Sequence, residues 1–452
     1  MKRVLRGSLS SVRWRTRLVL WGAAAVAGLV VVAFAKLADL ALATFFHITE
    51  GRPWLPFIMA PLIGMLVVWL TRRFAPGSQG SGIPQVIAAT REAALGRDVG
   101  TLVSIRIACG KVVLGVMALV GGFSAGREGP SVQVAASIMH LAHRYLPRTR
   151  ALRPQDLILA GGAAGIAAAF NAPLAGIVFA VEELGRRLET RTSGVLMSTI
   201  ILSGLMAIAL MGNYSYFGHL KTAGTTRSLF LPVLFCGVLC GLLGGIFSRL
   251  LLWPQRAPHL FIWRWSRVHP ILFAGGCGVI VALIGWLGSG MSYGSGYAIT
   301  SHVVSGELSM PWHAPITRYL ATLVSYYSGI PGGLFAPSLA VGGALGSTIA
   351  PLLGIGPDAI PVVVLCMTGF LAAVTQSPIT ATIIVMEMVD GHDMVISLMA
   401  VALIAKAVSS RIGPELYQQL AKDFRAHPSV QELVSGNQTP FEKPVSDAGK
   451  GR

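Results

Sequence analysis

Charge is what this sequence has least of, and negative charge above all. Only 12% of its 452 residues are charged, with 19 Asp and Glu against 36 Lys and Arg. Ordinary soluble domains carry about 25%, so water is not the solvent for most of this surface. Cysteine is sparse too: Cys109, Cys236, Cys240, Cys277 and Cys366 all fall in or beside apolar segments, where they read as small packing residues. Cys236 and Cys240 share a helix face, but no nearby His or acid completes the usual four-ligand set, so no metal site is expected. His140 and His143 lack the i, i+4 spacing and central Glu of a zinc-protease helix.

What is present is apolar sequence, 53% of the chain. A spanning helix needs about 20 mostly apolar residues. Candidates run Leu18 to Phe46, Trp54 to Leu70, Leu102 to Val120, Leu157 to Val181, Val195 to Met211, Leu229 to Leu252, Ile271 to Leu287, Tyr319 to Leu353, Val362 to Met388 and Met394 to Val408. Several are too long, too short or too glycine-broken to be one clean helix, and irregular backbone at membrane depth is tolerated only where protein or a watery cavity covers it.

The formal charge of +17 lies in tails and loops rather than on a nucleic-acid face. Lys2, Arg3, Arg6, Arg13, Arg15 and Arg17 precede the first apolar run without an intervening acid, which predicts a cytoplasmic N-terminus. That run is too long for the apolar core of a secretory signal. The polar tail from Lys422 is expected to be cytoplasmic and partly disordered.

An internal repeat organises the rest. Gly126-Arg127-Glu128-Gly129-Pro130-Ser131-Val132 aligns with Gly333-Leu334-Phe335-Ala336-Pro337-Ser338-Leu339 at a shift of 207 positions, and Pro173 through Glu182 aligns with Pro378 through Glu387 at 205. Duplicated halves with broken helices mark secondary transporters, whose half-helix N-termini converge on a substrate near the midplane. The expected organisation is a basic N-terminus at 1–17, repeats at 18–211 and 212–421, and a tail at 422–452.

Gly80-Ser81-Gly82-Ile83-Pro84 is a third broken helix start, weakly echoed by Gly294-Ser295-Gly296-Tyr297. Three such starts offer N-H dipoles without a fixed positive charge, which suits a small anion that must bind and leave. The simpler use of such glycines is close helix packing, which does not require the prolines. Glu128 stands out as a carboxylate among apolar segments, a costly group that marks a functional site or an ion pair with Arg127 or another base.

These three motifs, followed in order by Phe170-Asn171-Ala172-Pro173 and Tyr417, resemble the CLC family of chloride channels and proton/chloride antiporters, from the first apolar segment to Tyr417. The resemblance implies an all-α polytopic membrane protein with inverted-topology repeats, a homodimer with one pathway per subunit, and chloride as transported ligand without a cofactor. Ser81 and Tyr417 would give hydroxyl donors and Leu334 and Phe335 backbone N-H donors to chloride, with the side chains of the latter two mattering less. Apart from the resemblance, Tyr417 reads as an interfacial aromatic anchor. Glu128 would be the external gate and proton acceptor, competing with chloride when ionised and releasing the site when protonated.

Glu183 would be the internal proton-transfer residue of the exchanging members of the family. Its bland alternative is a solvated helix end paired with Arg187 at i, i+4. Glu182 and Glu387 look structural, and Asp39 reads as a helix-face partner of Lys36. Gln85 stands where many relatives carry an acid. The expected function is proton-coupled chloride exchange, the alternative a passive voltage- or pH-gated chloride channel. An intramembrane hydrolase using Ser81 is the reading from another class, and Ser81 has neither a Gly-x-Ser-x-Gly context nor a positioned His base.

Overall fold

The structure, a computed structural model, describes residues 11–146, 152–185, 193–212, 217, 229–353 and 359–426. Lys2, Arg3, Arg6, Arg186, Arg187 and the chain beyond Ala426 lie outside the described residues. The helices are α1 Ser11–Thr49, α2 Pro56–Phe74, α3 Ile83–Ala94, α4 Ile105–Val120, α5 Glu128–Ala142, α6 Pro154–Phe170, α7 Pro173–Phe179 and α8 Ser193–Met211. After these come α9 Phe230–Leu251, α10 Trp253–Arg256, α11 Phe261–Val268, α12 Pro270–Leu287, α13 Tyr297–Val304, α14 Ala314–Tyr327, α15 Phe335–Ile349, α16 Ile360–Thr375, α17 Pro378–Val389, α18 Val395–Ile412 and α19 Leu416–Ala426.

Seven helices among the described residues are long and apolar enough to cross a bilayer. Burial sorts them by position. The stretch Phe335–Leu353 is 72% buried, whereas Pro56–Phe74 is 28% buried and turns Ile58, Leu62, Leu66 and Trp69 outward. Three expected spans resolve into helix pairs. Tyr319 to Leu353 breaks between α14 and α15, Val362 to Met388 between α16 and α17, and Leu157 to Val181 between α6 and α7. The last two breaks share one device: Asn171 and Gln376 end their helices in the left-handed region, φ 54 and 60, and Pro173 and Pro378 start the next. Non-glycine residues rarely adopt that conformation, so its recurrence at positions 205 apart is a structural signature of the repeat.

Small residues let the central helices touch backbone to backbone. A methyl group on Gly161 or Gly165 of α6 would lie 2.7 or 2.6 Å from the Ala135 or Ser131 carbonyl of α5. One on Gly342 or Gly346 of α15 would lie 2.5 Å from the Cys366 carbonyl or 2.4 Å from Val363 Cα of α16. Lipid gives apolar helices little reason to associate, so such close dispersion contacts stabilise the interior.

The repeats also cap one another. The Glu182 carboxylate accepts hydrogen bonds from Ile379 N at 3.2 Å and Thr380 N at 2.6 Å, at the start of α17. Glu387 accepts from Leu174 N at 3.2 Å and Ala175 N at 2.7 Å, at the start of α7. Each acid satisfies orphan amides and faces the positive end of a helix dipole, which gives Glu182 and Glu387 their structural role.

Candidate anion site

Helices α5 and α15 begin at Glu128 and Phe335, the two residues the repeat alignment places opposite each other. A two-residue bridge fixes their approach: Gly126 N donates to Gly333 O at 2.8 Å and Gly333 N to Gly126 O at 2.6 Å. A second bridge brings in the loop before α3, with Gly80 N donating to Ile330 O and Gly332 N to Gly80 O, both at 3.0 Å. Three helix starts, each with a glycine one or two residues before it, therefore meet at one place. Gly82, at φ 101, turns the chain into α3. Its N-H is capped at 3.0 Å by Gln85 Oε1, whose amide donates to Gln79 O at 2.5 Å. The amide in place of a carboxylate thus keeps the helix-start contact and adds a donor.

Ser81 is 2% exposed and Tyr417 is fully buried. A methyl on Gly129 would lie 2.6 Å from Ser81 Oγ, so Ser81 faces the start of α5. Tyr417 stacks on Phe335, with ring centroids 5.9 Å apart and planes 6° apart, and Phe335 is packed further by Phe170 and Phe179 at 6.1 and 6.0 Å. Tyr417 is therefore no interfacial anchor. The Phe335 side chain matters more than its backbone role suggested, since it forms the wall against which the tyrosine is held.

Among the described residues neither Ser81 Oγ nor Tyr417 Oη meets hydrogen-bond geometry with another protein atom, although the two hydroxyls interact electrostatically. A buried hydroxyl left so costs about 1–3 kcal/mol. An anion between them, with the helix-start amides, would satisfy both. A cavity of about 230 Å³ lined by Gln79, Pro84, Tyr326, Leu420 and Phe424 opens against Ser81. The groups at hand are hydroxyls and amides that donate to an anion, and among the described residues no group of three His, Cys, Asp or Glu is placed to hold a metal.

Glu128 is fully buried, and its Oε2 lies 2.5 Å from where a methyl on Gly126 would sit, folded back onto its own loop. Asp39 takes the Arg127 side chain: Arg127 Nη1 donates to Asp39 Oδ1 at 2.5 Å and to Ala35 O at 2.6 Å. This also corrects the pairing of Asp39 with Lys36. The sequence spacing was compatible with Lys36, but the reentrant loop before α5 delivers a fixed guanidinium instead.

Glu183 is 2% exposed, in a π-helical turn, Ala180–Gly185, that follows α7. A solvated helix end is ruled out by that burial. Ser377 Oγ donates to Glu183 Oε2, and Gln418 Nε2 donates to the Glu183 carbonyl at 2.9 Å. Gln418 neighbours Tyr417, and the Tyr417 hydroxyl is within electrostatic reach of both Glu183 and Glu128. The structure thus brings together all the expected site residues: Ser81, Glu128, Leu334, Phe335, Tyr417 and, one step away, Glu183. Cys236, Cys240 and Cys366 lie apart from them, with Cys240 Sγ at 3.6 Å from the Cys366 carbonyl.

Sequence reasoning missed two buried cations. Lys111 of α4 is fully buried and donates to Ser78 O at 2.7 Å and Gly80 O at 2.6 Å. Arg318 of α14, 207 positions later, is 3% exposed and donates to the carbonyls of Met291, Ser292, Tyr293 and Gly294. Each cation holds the loop before its half's Gly-Ser-Gly helix start, which makes the weak echo at Gly294 to Tyr297 a structural counterpart of the first motif. A basic residue inside one apolar run and another at the edge of the next half's, 207 positions apart, was the available signal. We expect Lys111→Met to weaken chloride binding on the order of ten-fold, because it removes the donor that holds the Ser78 and Gly80 carbonyls and so loosens the loop that positions Ser81; calorimetric titration of purified protein with chloride measures it.

Residues 63–410 match the model of the family described as voltage gated chloride channel. The chain belongs to the CLC family. An H(+)/Cl(-) exchange transporter, ClcA, of Klebsiella pneumoniae is 32% identical over 413 residues, spanning 86% of this chain and 83% of that protein. The ClcA of Salmonella paratyphi A is 29% identical over 408 residues, with 85% and 82% covered. Among solved structures, this CLC chain is similar to a slow cyanobacterial Cl-/H+ antiporter at TM-score 0.78 and 24% identity, covering 92% of this chain and 99% of that one. It is similar to a CLC-type fluoride/proton antiporter at TM-score 0.74 and 22% identity, with 89% and 96% covered. The fold is the CLC fold, built from broken helices in two inverted repeats.

Proposed function

We propose that this membrane protein exchanges chloride for protons, using the site where α3, α5 and α15 begin. The observation that carries this reading is the pair of buried hydroxyls, Ser81 Oγ and Tyr417 Oη, which lie near each other at converging helix starts and, among the described residues, meet no hydrogen-bond geometry with a protein atom. Chloride takes their hydrogen bonds together with the Leu334 and Phe335 amides, and because no full charge contacts it, it can also leave. The exchange activity in the names of its ClcA relatives supports the coupling.

In this reading Glu128 is the external gate. Ionised, it competes with chloride for the same dipole ends; protonated, it withdraws and carries a proton. Glu183 receives protons from the cytoplasm. The chain crosses a cell inner membrane or plasma membrane several times with both termini in the cytoplasm, the repeats occupy 18–211 and 212–421, and two subunits pair with one pathway each. The role is transport rather than enzymatic turnover. In liposomes holding a chloride gradient, protons should move uphill against their own gradient. Saturable chloride flux with no proton movement would leave a passive channel instead.

A further inference from the structure

The residue before the gate is held from three directions. Arg127 is 6% exposed, and its guanidinium donates to Ala35 O and Asp39 Oδ1 of α1 and lies 5.9 Å above the Tyr297 ring at the start of α13. Tyr297 is itself placed by Gly296, where a methyl would meet Arg318 at 3.0 Å. Arg127 is thus a fixed positive charge adjoining Glu128. Its counter-charge differs in kind, for the Asp39 side chain is 49% exposed. Asp39 lies roughly 30 Å along α1 from Leu18, where the apolar run begins, at about 1.5 Å per residue, about the full thickness of a bilayer core, and so at the face opposite the N-terminus.

We infer that Asp39 is a specificity-determining residue for anion entry from the external face, setting how much of the Arg127 field an arriving chloride meets. This rests on the chloride/proton reading above. With Asp39 ionised the pair is close to neutral, and the outer mouth attracts chloride weakly. Without its charge Arg127 stays in place, because Ala35 O and Tyr297 still hold it, and its field extends to the mouth. The carboxylate therefore tunes external affinity rather than building the site.

The inference separates Asp39 from any structural effect by sidedness and by salt. Radiolabelled chloride uptake is measured in right-side-out and in inverted membrane vesicles carrying wild type, Asp39→Asn or Asp39→Glu. For Asp39→Asn, the external KM for chloride should fall about three-fold, the size of a unit charge acting through solvent-exposed surroundings. The internal KM should not change, and Asp39→Glu should restore the wild-type external value. Raising ionic strength with sodium gluconate should shrink the three-fold difference, since exposed charges are screened over about 10 Å at 0.1 M. An unchanged external KM, an equal change at both faces, or a difference indifferent to salt overturns the inference. Absence of saturable chloride flux in wild type overturns instead the transport reading on which it stands.

Discussion

Glu128→Ala keeps moving chloride and stops moving protons. The side chain is fully buried at the first position of α5, with its carboxylate folded back beside Gly126. Removing it takes away the carboxylate that, in the proposed reading, competes with chloride for the N-H donors where the helix starts meet. The bridge between Gly126 and Gly333 is made of backbone alone and does not depend on the carboxylate, and Arg127 has anchors of its own on α1. The anion site therefore survives the substitution. A positioned proton-transferring group contributes about 10²–10⁴-fold, so proton flux should drop by at least about a hundred-fold. Chloride efflux from liposomes should change far less and lose its dependence on pH. Proton uptake that persists against a gradient in this variant would refute the role of Glu128 as gate and carrier together.

The repeat was legible in the sequence because it is written in glycine and proline, whose backbone consequences are local. Gly126 and Gly333, Pro173 and Pro378, and the capping acids Glu182 and Glu387 all occupy the positions that alignment paired. The helix starts at Glu128 and Phe335 follow from the same strings. What depended on distant contacts was not legible. Asp39 and Arg127 are 88 positions apart, and only the fold of the loop before α5 brings them together. Likewise, Lys111 and Arg318 look like stray charges until the carbonyls of Ser78, Gly80 and Gly294 are seen to surround them. Tyr417 was ambiguous for the same reason. It follows the last spanning helix in sequence, where aromatic anchors are common, yet α19 turns it back to stack on Phe335.

Glu183 is where sequence and structure differ most in what they permit, and Glu183→Gln is the second large effect we expect. Adjacent acids before a pair of arginines describe a wet helix end equally well in one dimension. In three dimensions the two acids part: Glu182 caps α17, while Glu183 is 2% exposed and hydrogen-bonded by Ser377 from the start of that same helix. The π-helical turn that carries them supplies the change of direction, and such insertions concentrate at functional sites. Gln418 ties the Glu183 carbonyl to α19, and Arg91 of α3 donates to the Gln418 amide oxygen, so the turn is braced against the helix bearing Tyr417. Glutamine matches the shape, still accepts from Ser377, and costs less to bury than a carboxylate. The variant should fold, bind chloride with wild-type affinity and pass it within a few-fold of the normal rate. It cannot take up a proton, so uphill proton transport should fall by about a hundred-fold or more. The decisive measurement pairs calorimetric chloride binding with proton flux on one preparation. Intact binding with intact coupling returns Glu183 to a brace between α17 and α19; intact binding with lost coupling makes it the inner end of the proton path.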